Sequence, residues 1–198
     1  SIDAERRFLP ASNQKLYTTA LALAKLGPSY RWRTSVYAAS RPDDSGRLAG
    51  DLVLYGRGDP SISDTFGVGI AARKVDELAD RIAASGVQRV SGNLVADESY
   101  FTGKRFGFGW EWNDLQWGYG AEVSALSIGD NVVSLRVVPA AKPGDPCTVT
   151  LGAANAYVRA TNRTKTSAKQ GLNDLGVYRA EGSNAIDVFG HMPADAVP

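Results

Sequence analysis

The chain has few of the residues from which many catalytic and metal sites are built: one cysteine, Cys147, and one histidine, His191, among 198 residues. A single cysteine excludes an internal disulfide framework and a cysteine-rich zinc site, because both need several thiols. A single histidine argues against a histidine-based metal centre and against Ser-His-Asp or Cys-His catalysis. Any nucleophilic chemistry in this chain is therefore expected to use a base other than histidine.

An excess of one charge and long apolar runs are also absent. Lys and Arg number 22 against 21 Asp and Glu, so the net charge is +1. Nucleic-acid and anionic-membrane binders usually carry a basic excess, so neither partner is expected. No apolar run reaches the roughly 18–20 residues of a membrane-spanning helix, so no membrane span is expected in this chain. Hydrophobic residues make up 43% of the sequence, which is enough for a buried core.

Hydrophobic spacing predicts two amphipathic helices, over residues 10–27 and 71–85. Gly27-Pro28 and Gly86 are typical residues at the ends of such helices. Alternating stretches predict strands at 31–38, 48–55, 87–96, 131–139, 148–151, 156–160 and 185–189, the first two forming a hairpin. The aromatic and glycine-rich stretch 101–119 has no clear period and is predicted to be an ordered loop. The predicted fold class is α+β: a helix and hairpin, then an αβ segment, then a small all-β segment.

Ser12-Asn13-Gln14-Lys15 places a serine three residues before a lysine at the start of the first helix. This spacing brings both side chains onto one helical face. Lysine can act as the base for a serine nucleophile if burial or nearby positive charge lowers its pKa. Alternatively, Ser12 caps the helix and Lys15 is solvated. Spacing alone does not decide between these interpretations, because serine and lysine are often found three residues apart by chance.

The surrounding sequence resembles a known family. Residues 8–20, FLPASNQKLYTTA, resemble the nucleophile helix of the class C low-molecular-mass penicillin-binding proteins, the D-alanyl-D-alanine carboxypeptidase/endopeptidase family. Further blocks follow in the family's order: LGPSYRWRT (26–34), GDLVL and GDPS (within 50–61), DESYF (97–101), GWEWND (109–114) and SALS (124–127). The resemblance implies part of a penicillin-binding, β-lactamase-like transpeptidase domain with inserted αβ and small all-β domains. The expected divisions are 1–62 for the transpeptidase part, 63–134 for the αβ insertion and 135–198 for the β insertion.

The resemblance also implies roles for individual residues. Ser12 would be the acylated nucleophile, Lys15 its general base, and the backbone N–H of Ser12 one donor to the oxyanion. Asp114 would pair with a free amine on a peptidoglycan stem peptide, beside an apolar wall formed by Trp112 or Trp110. The structural alternatives are a loop carboxylate that caps local N–H groups and tryptophans that pack in the fold. The family's mechanism needs no metal or cofactor.

Two further elements of the family's site, Ser-x-Asn and Lys-Thr-Gly, are not recognisable here. Ser91-Gly92-Asn93 is interpreted as a chance match at the start of a strand. Lys165-Thr166-Ser167 ends in serine, where a side chain would crowd the bound peptide, and it lies in a polar stretch. The chain is therefore expected to be about the first half of a family member, with a missing C-terminal segment of the same protein as a partner. The first helix would then have a poorly covered apolar face, and this chain alone would be inactive unless that segment completes it.

The function implied by the resemblance is a serine D-alanyl-D-alanine carboxypeptidase/endopeptidase that cleaves peptidoglycan stem peptides through an acyl-enzyme. β-Lactam antibiotics would acylate the same serine, and the location would be the cell envelope, periplasmic or extracytoplasmic. The alternative is a non-catalytic peptidoglycan-binding or assembly module that retains the fold. An unrelated amidase with a Ser-Lys dyad is a third hypothesis, and the later matching blocks argue against it.

Overall fold

The computed structural model describes residues 5–152 and 157–197. The chain forms two compact units, Ser1–Trp32 and Arg33–Pro198. The predicted division at residues 62 and 134 stays a prediction.

The first unit contains the predicted first helix. A 3-10 turn, Ala11–Asn13, leads into helix α1, Gln14–Leu26. The composition of α1, rich in Ala, Leu and Lys, favours a helix, and the helix ends where the N–H of Gly27 donates to the carbonyl of Leu23 at 2.9 Å. None of the residues of α1 is buried. Its exposed apolar side chains are Leu16, Tyr17, Leu21, Leu23 and Leu26.

The second unit begins with an αβ region. Its elements are β1 (Ser35–Ala38), β2 (Arg47–Leu48), β3 (Leu52–Tyr55), α2 (Ile70–Ala84), β4 (Arg89–Val90) and β5 (Leu94–Asp97). Strand β3 lies between β1 and β5 in one sheet. It pairs antiparallel with β1 and parallel with β5, so α2 belongs to a crossover between parallel strands. The predicted hairpin and second helix are confirmed.

Two predicted strands, 48–55 and 87–96, are each divided into a short strand and a longer one. The short strands β2 and β4 form a separate parallel pair. The division falls where Gly50 and Gly92 meet, since a Cβ on Gly92 would lie 2.3 Å from the carbonyl carbon of Gly50. The N–H of Asn93 donates to Oδ1 of Asp51 at 2.8 Å. This side-chain contact replaces a regular strand pairing at the bend.

The rest of the second unit is a small β region. It contains β6 (Leu135–Val138), β7 (Thr148–Leu151), β8 (Arg159–Ser167), β9 (Gly176–Arg179) and β10 (Ala185–Pro193). Strands β6 and β7 pair antiparallel, and β10 lies between β8, to which it is parallel, and β9, to which it is antiparallel. The strands predicted within 131–139, 148–151 and 185–189 are confirmed, with shifted ends. The strand predicted at 156–160 begins at Ala156, outside the described residues, and its last two residues start β8.

The sequence did not predict β9 or most of β8. No strand is predicted for the polar stretch 161–169, but residues 161–167 continue β8. The hydroxyl-bearing side chains of this strand are buried at Thr164 and Thr166, each 2% exposed. Oγ1 of Thr166 accepts a hydrogen bond from the N–H of Ala140 at 2.8 Å. In this strand, buried threonines whose hydroxyls are hydrogen-bonded take the place of aliphatic residues. The predicted α+β fold class is confirmed.

Candidate active site

Ser12 and Lys15 meet in the first unit as their spacing predicts. Nζ of Lys15 donates a hydrogen bond of 2.9 Å to Oγ of Ser12, and both side chains are exposed. Ser12 lies in the 3-10 turn and Lys15 in the first turn of α1. The structural alternative for Ser12 was a helix cap. The residue at the N-cap is Asn13, and no side-chain cap bond is made there.

The residue before Ser12 has an uncommon backbone conformation. Ala11 has a φ of 44°, in the left-handed region. An L-residue with a Cβ costs about 1–2 kcal/mol there relative to the right-handed region. Strained backbone of this kind clusters at functional sites. The strain at Ala11 is therefore consistent with a special position for the Ser12 hydroxyl.

Asp114 and Trp112 lie in the second unit, in the stretch predicted to be an ordered loop. Two successive 3-10 turns, Asp114–Gln116 and Gly118–Gly120, interrupt this loop. Oδ2 of Asp114 accepts from the N–H of Glu111 at 3.2 Å, and Oδ1 accepts from the hydroxyl of Tyr119 at 3.3 Å. The carboxylate therefore does cap a local N–H group, as the structural alternative proposed. It is still partly exposed, and an ionised carboxylate can accept from more than two donors.

The two candidate tryptophans differ in their surroundings. Trp110 is 38% exposed and packs edge-on against Phe106, with ring centroids 6.3 Å apart. Trp112 is 73% exposed. Trp110 therefore has the packing role of the structural alternative, and Trp112 has a free aromatic surface two residues before Asp114.

Sequence reasoning missed Tyr119. Desolvation raises the pKa of its hydroxyl, and the charge of Asp114 and the hydrogen bond to it add to the rise. The signal for this contact is weak in the sequence. Asp114 and Tyr119 are five residues apart, a separation that a single α-helix does not bring together, and only the two consecutive 3-10 turns join them.

The two partial matches to the family's other motifs have structural roles. Ser91-Gly92-Asn93 forms the bend between β4 and β5, where the hydroxyl of Ser91 donates to the carbonyl of Leu48 at 2.8 Å. Lys165-Thr166-Ser167 ends β8, and the hydroxyl of Ser167 donates to the carbonyl of Leu172 at 2.7 Å. The hydroxyl of Ser91 is thus used within the fold, and so is that of Thr166, which accepts from the N–H of Ala140.

Over residues 5–152 and 157–197, no group of three or more His, Cys, Asp or Glu side chains is arranged to hold a metal ion. Within the same residues, no helix has the length and apolar character to cross a membrane.

Solved structures share this fold. Penicillin-binding protein 4 of Haemophilus influenzae matches over 96% of this chain and 40% of its own, with a TM-score of 0.79 and 24% identity. A second structure of that protein, in complex with a β-lactam, matches with a TM-score of 0.64 and 20% identity over 95% of this chain and 37% of its own. The fold is thus that of a penicillin-binding protein.

Sequence comparison then gives the family. The model of the D-Ala-D-Ala carboxypeptidase 3 (S13) family matches residues 1–198, and the chain belongs to this family. A D-alanyl-D-alanine carboxypeptidase of Actinomadura sp. (strain R39) is 40% identical over 204 residues, which are 100% of this chain and 36% of the relative. A carboxypeptidase of Mycobacterium tuberculosis is 30% identical over 173 residues, 76% of this chain and 36% of the relative. The resemblance found in the sequence is confirmed, and the chain spans about a third of the length of these relatives.

Proposed function

We propose that this chain carries the nucleophile of a serine D-alanyl-D-alanine carboxypeptidase that acts on peptidoglycan stem peptides. The observation that carries the proposal is the 2.9 Å contact between Lys15 Nζ and Ser12 Oγ at the start of α1, in a chain of the S13 family. A serine hydroxyl becomes a competent nucleophile when an adjacent base accepts its proton. Lys15 is the basic side chain that contacts Ser12.

The proposed reaction has two halves. Lys15 accepts the hydroxyl proton across the 2.9 Å contact while Oγ of Ser12 attacks the carbonyl between the two terminal D-alanines. The backbone N–H of Ser12 donates to the developing oxyanion. The C–N bond breaks, the departing D-alanine takes the proton from Lys15, and an ester remains on Ser12. Water, deprotonated by Lys15, then hydrolyses the ester and regenerates the hydroxyl.

The same chemistry accounts for two further parts of the proposal. A β-lactam carbonyl would be attacked by Ser12 in the same way, and opening of its ring would leave the acyl group on the enzyme. Cleavage of a cross-link between two stem peptides would differ only in its leaving amine, so the endopeptidase reaction needs no additional catalytic group. Because peptidoglycan lies outside the cytoplasm, we place the protein in the cell envelope, periplasmic or extracytoplasmic.

The remaining parts of the site are proposed to come from other parts of the full-length protein. The relatives are about three times as long as this chain, since it spans 36% of two of them. The leucines of α1 are exposed, and exposed apolar side chains on one helix favour coverage by further structure. We propose that the additional length covers α1, shields the Ser12–Lys15 pair from water and supplies the Ser-x-Asn and Lys-Thr-Gly elements of the family's pattern.

Recognition of the stem peptide is proposed to involve Asp114 and Trp112. A carboxylate that is partly exposed attracts a protonated amine, and an exposed indole offers an apolar surface to the aliphatic chain that carries that amine. The contacts from Glu111 and Tyr119 fix the orientation of the Asp114 carboxylate, so a bound amine would meet an acceptor that is already in place.

The test uses the full-length protein and benzylpenicillin. Intact mass should increase by one penicilloyl group, and peptide mapping should place that group on Ser12. The same preparation should release D-alanine from a stem peptide. Ser12→Ala should lose both activities, whereas Ser29→Ala, an exposed serine of the same unit, should retain them. An adduct that survives in Ser12→Ala would contradict the assignment. Binding of peptidoglycan without an adduct on the unaltered protein would favour the non-catalytic module instead.

A further inference from the structure

The turn that carries Asp114 is joined to the small β region by the side chain of Gln116. Nε2 of Gln116 donates to the carbonyl of Arg179 at 3.2 Å, and the N–H of Arg179 donates back to Oε1 of Gln116. A primary amide presents a donor and an acceptor side by side, as a peptide group does. The side chain of Gln116 therefore pairs with β9 as a neighbouring strand would.

The position of Arg179 makes this pairing available. Strand β9 is at the end of the sheet, with β10 on one side only. The outer edge of such a strand presents peptide groups that lack a strand partner. The amide of Gln116 forms hydrogen bonds with both the N–H and the carbonyl of Arg179, the last residue of β9. Gln116 itself is partly buried, which limits competition from water.

Hydrogen bonds within the two 3-10 turns hold Asp114 in a fixed position relative to Gln116. The N–H of Trp117 donates to the carbonyl of Asp114 at 3.0 Å, and the N–H of Gly120 donates to the carbonyl of Trp117 at 2.9 Å. Gly120 is buried against Asp114, since a Cβ on Gly120 would lie 2.1 Å from the carbonyl oxygen of Asp114. Two turns that close on each other in this way move as one piece.

We propose that Gln116 is a positioning residue for stem-peptide recognition, and that the sheet β8–β10–β9 serves recognition by holding the Asp114 turn through Arg179. This inference rests on the proposed role of Asp114. It gives the small β region a function in substrate selection, whereas the residues proposed for the acyl transfer, Ser12 and Lys15, belong to the first unit. Gln116 need not touch substrate, because it acts through the placement of the Asp114 carboxylate.

The test compares two substrates in the full-length protein: a stem peptide ending in D-Ala-D-Ala with a free side-chain amine, and the same peptide with that amine acetylated. The ratio of their kcat/KM values measures recognition of the amine. Gln116→Ala should lower this ratio about tenfold through the KM of the free-amine peptide, because the turn loses two hydrogen bonds. The kcat for the acetylated peptide and the rate of acylation by benzylpenicillin should not change.

Three control variants define the mechanism. Gln116→Glu keeps an acceptor for the N–H of Arg179 but has no donor for the carbonyl of Arg179, because a carboxylate oxygen replaces the amide nitrogen. It should therefore lower the substrate ratio as Gln116→Ala does. Arg179→Ala should leave the substrate ratio unchanged, because only the main chain of Arg179 takes part in the pairing and its side chain donates elsewhere, to the carbonyl of Ser183 at 3.2 Å. Gln88→Ala removes an exposed glutamine whose side chain makes no hydrogen bond to any described residue, and it should have no effect.

Hydrogen exchange provides a readout that is independent of substrate. In Gln116→Ala the amides of Arg179, Trp117 and Gly120 should exchange about tenfold faster, while those of β8 stay protected. Unchanged exchange would overturn the inference. A second outcome would overturn the role of Gln116 and leave that of Asp114 intact. In it, Gln116→Ala exchanges faster but keeps the substrate ratio, whereas Asp114→Asn brings the ratio to about one. An unchanged ratio in Asp114→Asn would overturn both.

Discussion

The hydroxyl of Tyr119 lies 3.3 Å from Oδ1 of Asp114 and donates a hydrogen bond to it. The contact spans two consecutive 3-10 turns and places a phenol against the carboxylate proposed to bind the stem-peptide amine. Negative charge beside a phenol opposes its ionisation, and desolvation of the phenol acts in the same direction. Tyr119 therefore stays neutral and keeps its proton available to Asp114.

Replacement of Asp114 should change the titration of Tyr119. We expect Asp114→Asn to lower the pKa of the Tyr119 hydroxyl, because the charge of Asp114 and the hydrogen bond to it both raise that pKa. The largest cause, desolvation, remains in the variant, so the pKa should stay above the ordinary value. A pH titration of ¹³C-labelled tyrosine by NMR in the full-length protein measures this. Glu111→Gln is the matched control and should leave Tyr119 unchanged; an equal effect of both variants would contradict a specific contact.

Loss of the Lys15 amine should slow acylation of the full-length protein by benzylpenicillin. General-base catalysis contributes about 10²–10⁴-fold, and Lys15→Ala should reduce the acylation rate constant by that order. The measurement is the time course of the penicilloyl adduct by mass spectrometry. Lys25→Ala, in the last turn of the same helix, is the control and should acylate at the normal rate. Normal kinetics in Lys15→Ala would remove Lys15 from the mechanism.

A hydrogen-bonded carboxylate of the second unit, Asp130, should contribute to stability. Oδ2 of Asp130 accepts from the hydroxyls of Ser63 at 2.7 Å and Thr65 at 2.8 Å, and Ser63 is 1% exposed. Asp130→Ala leaves a buried hydroxyl without its acceptor and should lower the free energy of unfolding by about 1–3 kcal/mol. Asp130→Asn should cost less, because its amide oxygen still accepts and asparagine tolerates the left-handed φ of 57° at this position.

The contribution of Asp130 should also depend on pH. Hydrogen bonds from Ser63 and then Thr65 lower the pKa of Asp130 in the folded state. A lowered folded-state pKa gives stability that is complete above the range of an unfolded carboxyl, about pH 4–5, and is lost as the pH falls through the folded-state pKa. Denaturant unfolding between about pH 7 and pH 2 should show less of this loss in Asp130→Asn. Asp76→Asn, on the exposed surface of α2, is the control; identical pH profiles of the unaltered protein and Asp130→Asn would contradict the prediction.

A methyl group at position 120 should disturb the Asp114 turn. A Cβ on Gly120 would lie 2.1 Å from the carbonyl oxygen of Asp114, a backbone atom that cannot rotate away. Gly120→Ala should therefore lower the free energy of unfolding by about 1–3 kcal/mol, as forced overpacking does. The matched control is Gly103→Ala, where a Cβ has no atom within 4 Å. Equal thermal unfolding midpoints for the two variants would show that the close approach is absent in solution.

Local geometry explains which features the sequence predicted well. The contact between Ser12 and Lys15 follows from three-residue spacing at a helix start, and the helical turn itself brings the two side chains together. The second helix and the hairpin follow in the same way from periodicity over short stretches. Family motifs are also local, which is why matching blocks of four to thirteen residues were enough to indicate the family that the comparison confirmed.

Features that depend on distant partners were missed or misread. Strand β8 has a polar sequence because its buried threonine hydroxyls have partners such as the N–H of Ala140, and such a pattern is typical of a loop when those partners are unknown. The predicted strand 48–55 is interrupted because Gly50 meets Gly92, which lies 42 residues further along the chain. Neither contact produces a periodic pattern in the sequence.

The sequence by itself determined the α+β class, the Ser12–Lys15 pair and the family, because each is indicated by patterns within short stretches of the chain. The tertiary structure alone decided how Asp114 is held. The hydroxyl of Tyr119 reaches it across two 3-10 turns, and Gln116 fixes its turn to Arg179, a partner 63 residues away. The physical reason is that a glutamine is the same residue in the sequence whether its amide binds water or a distant main chain. Only the folded chain shows which of these partners it has.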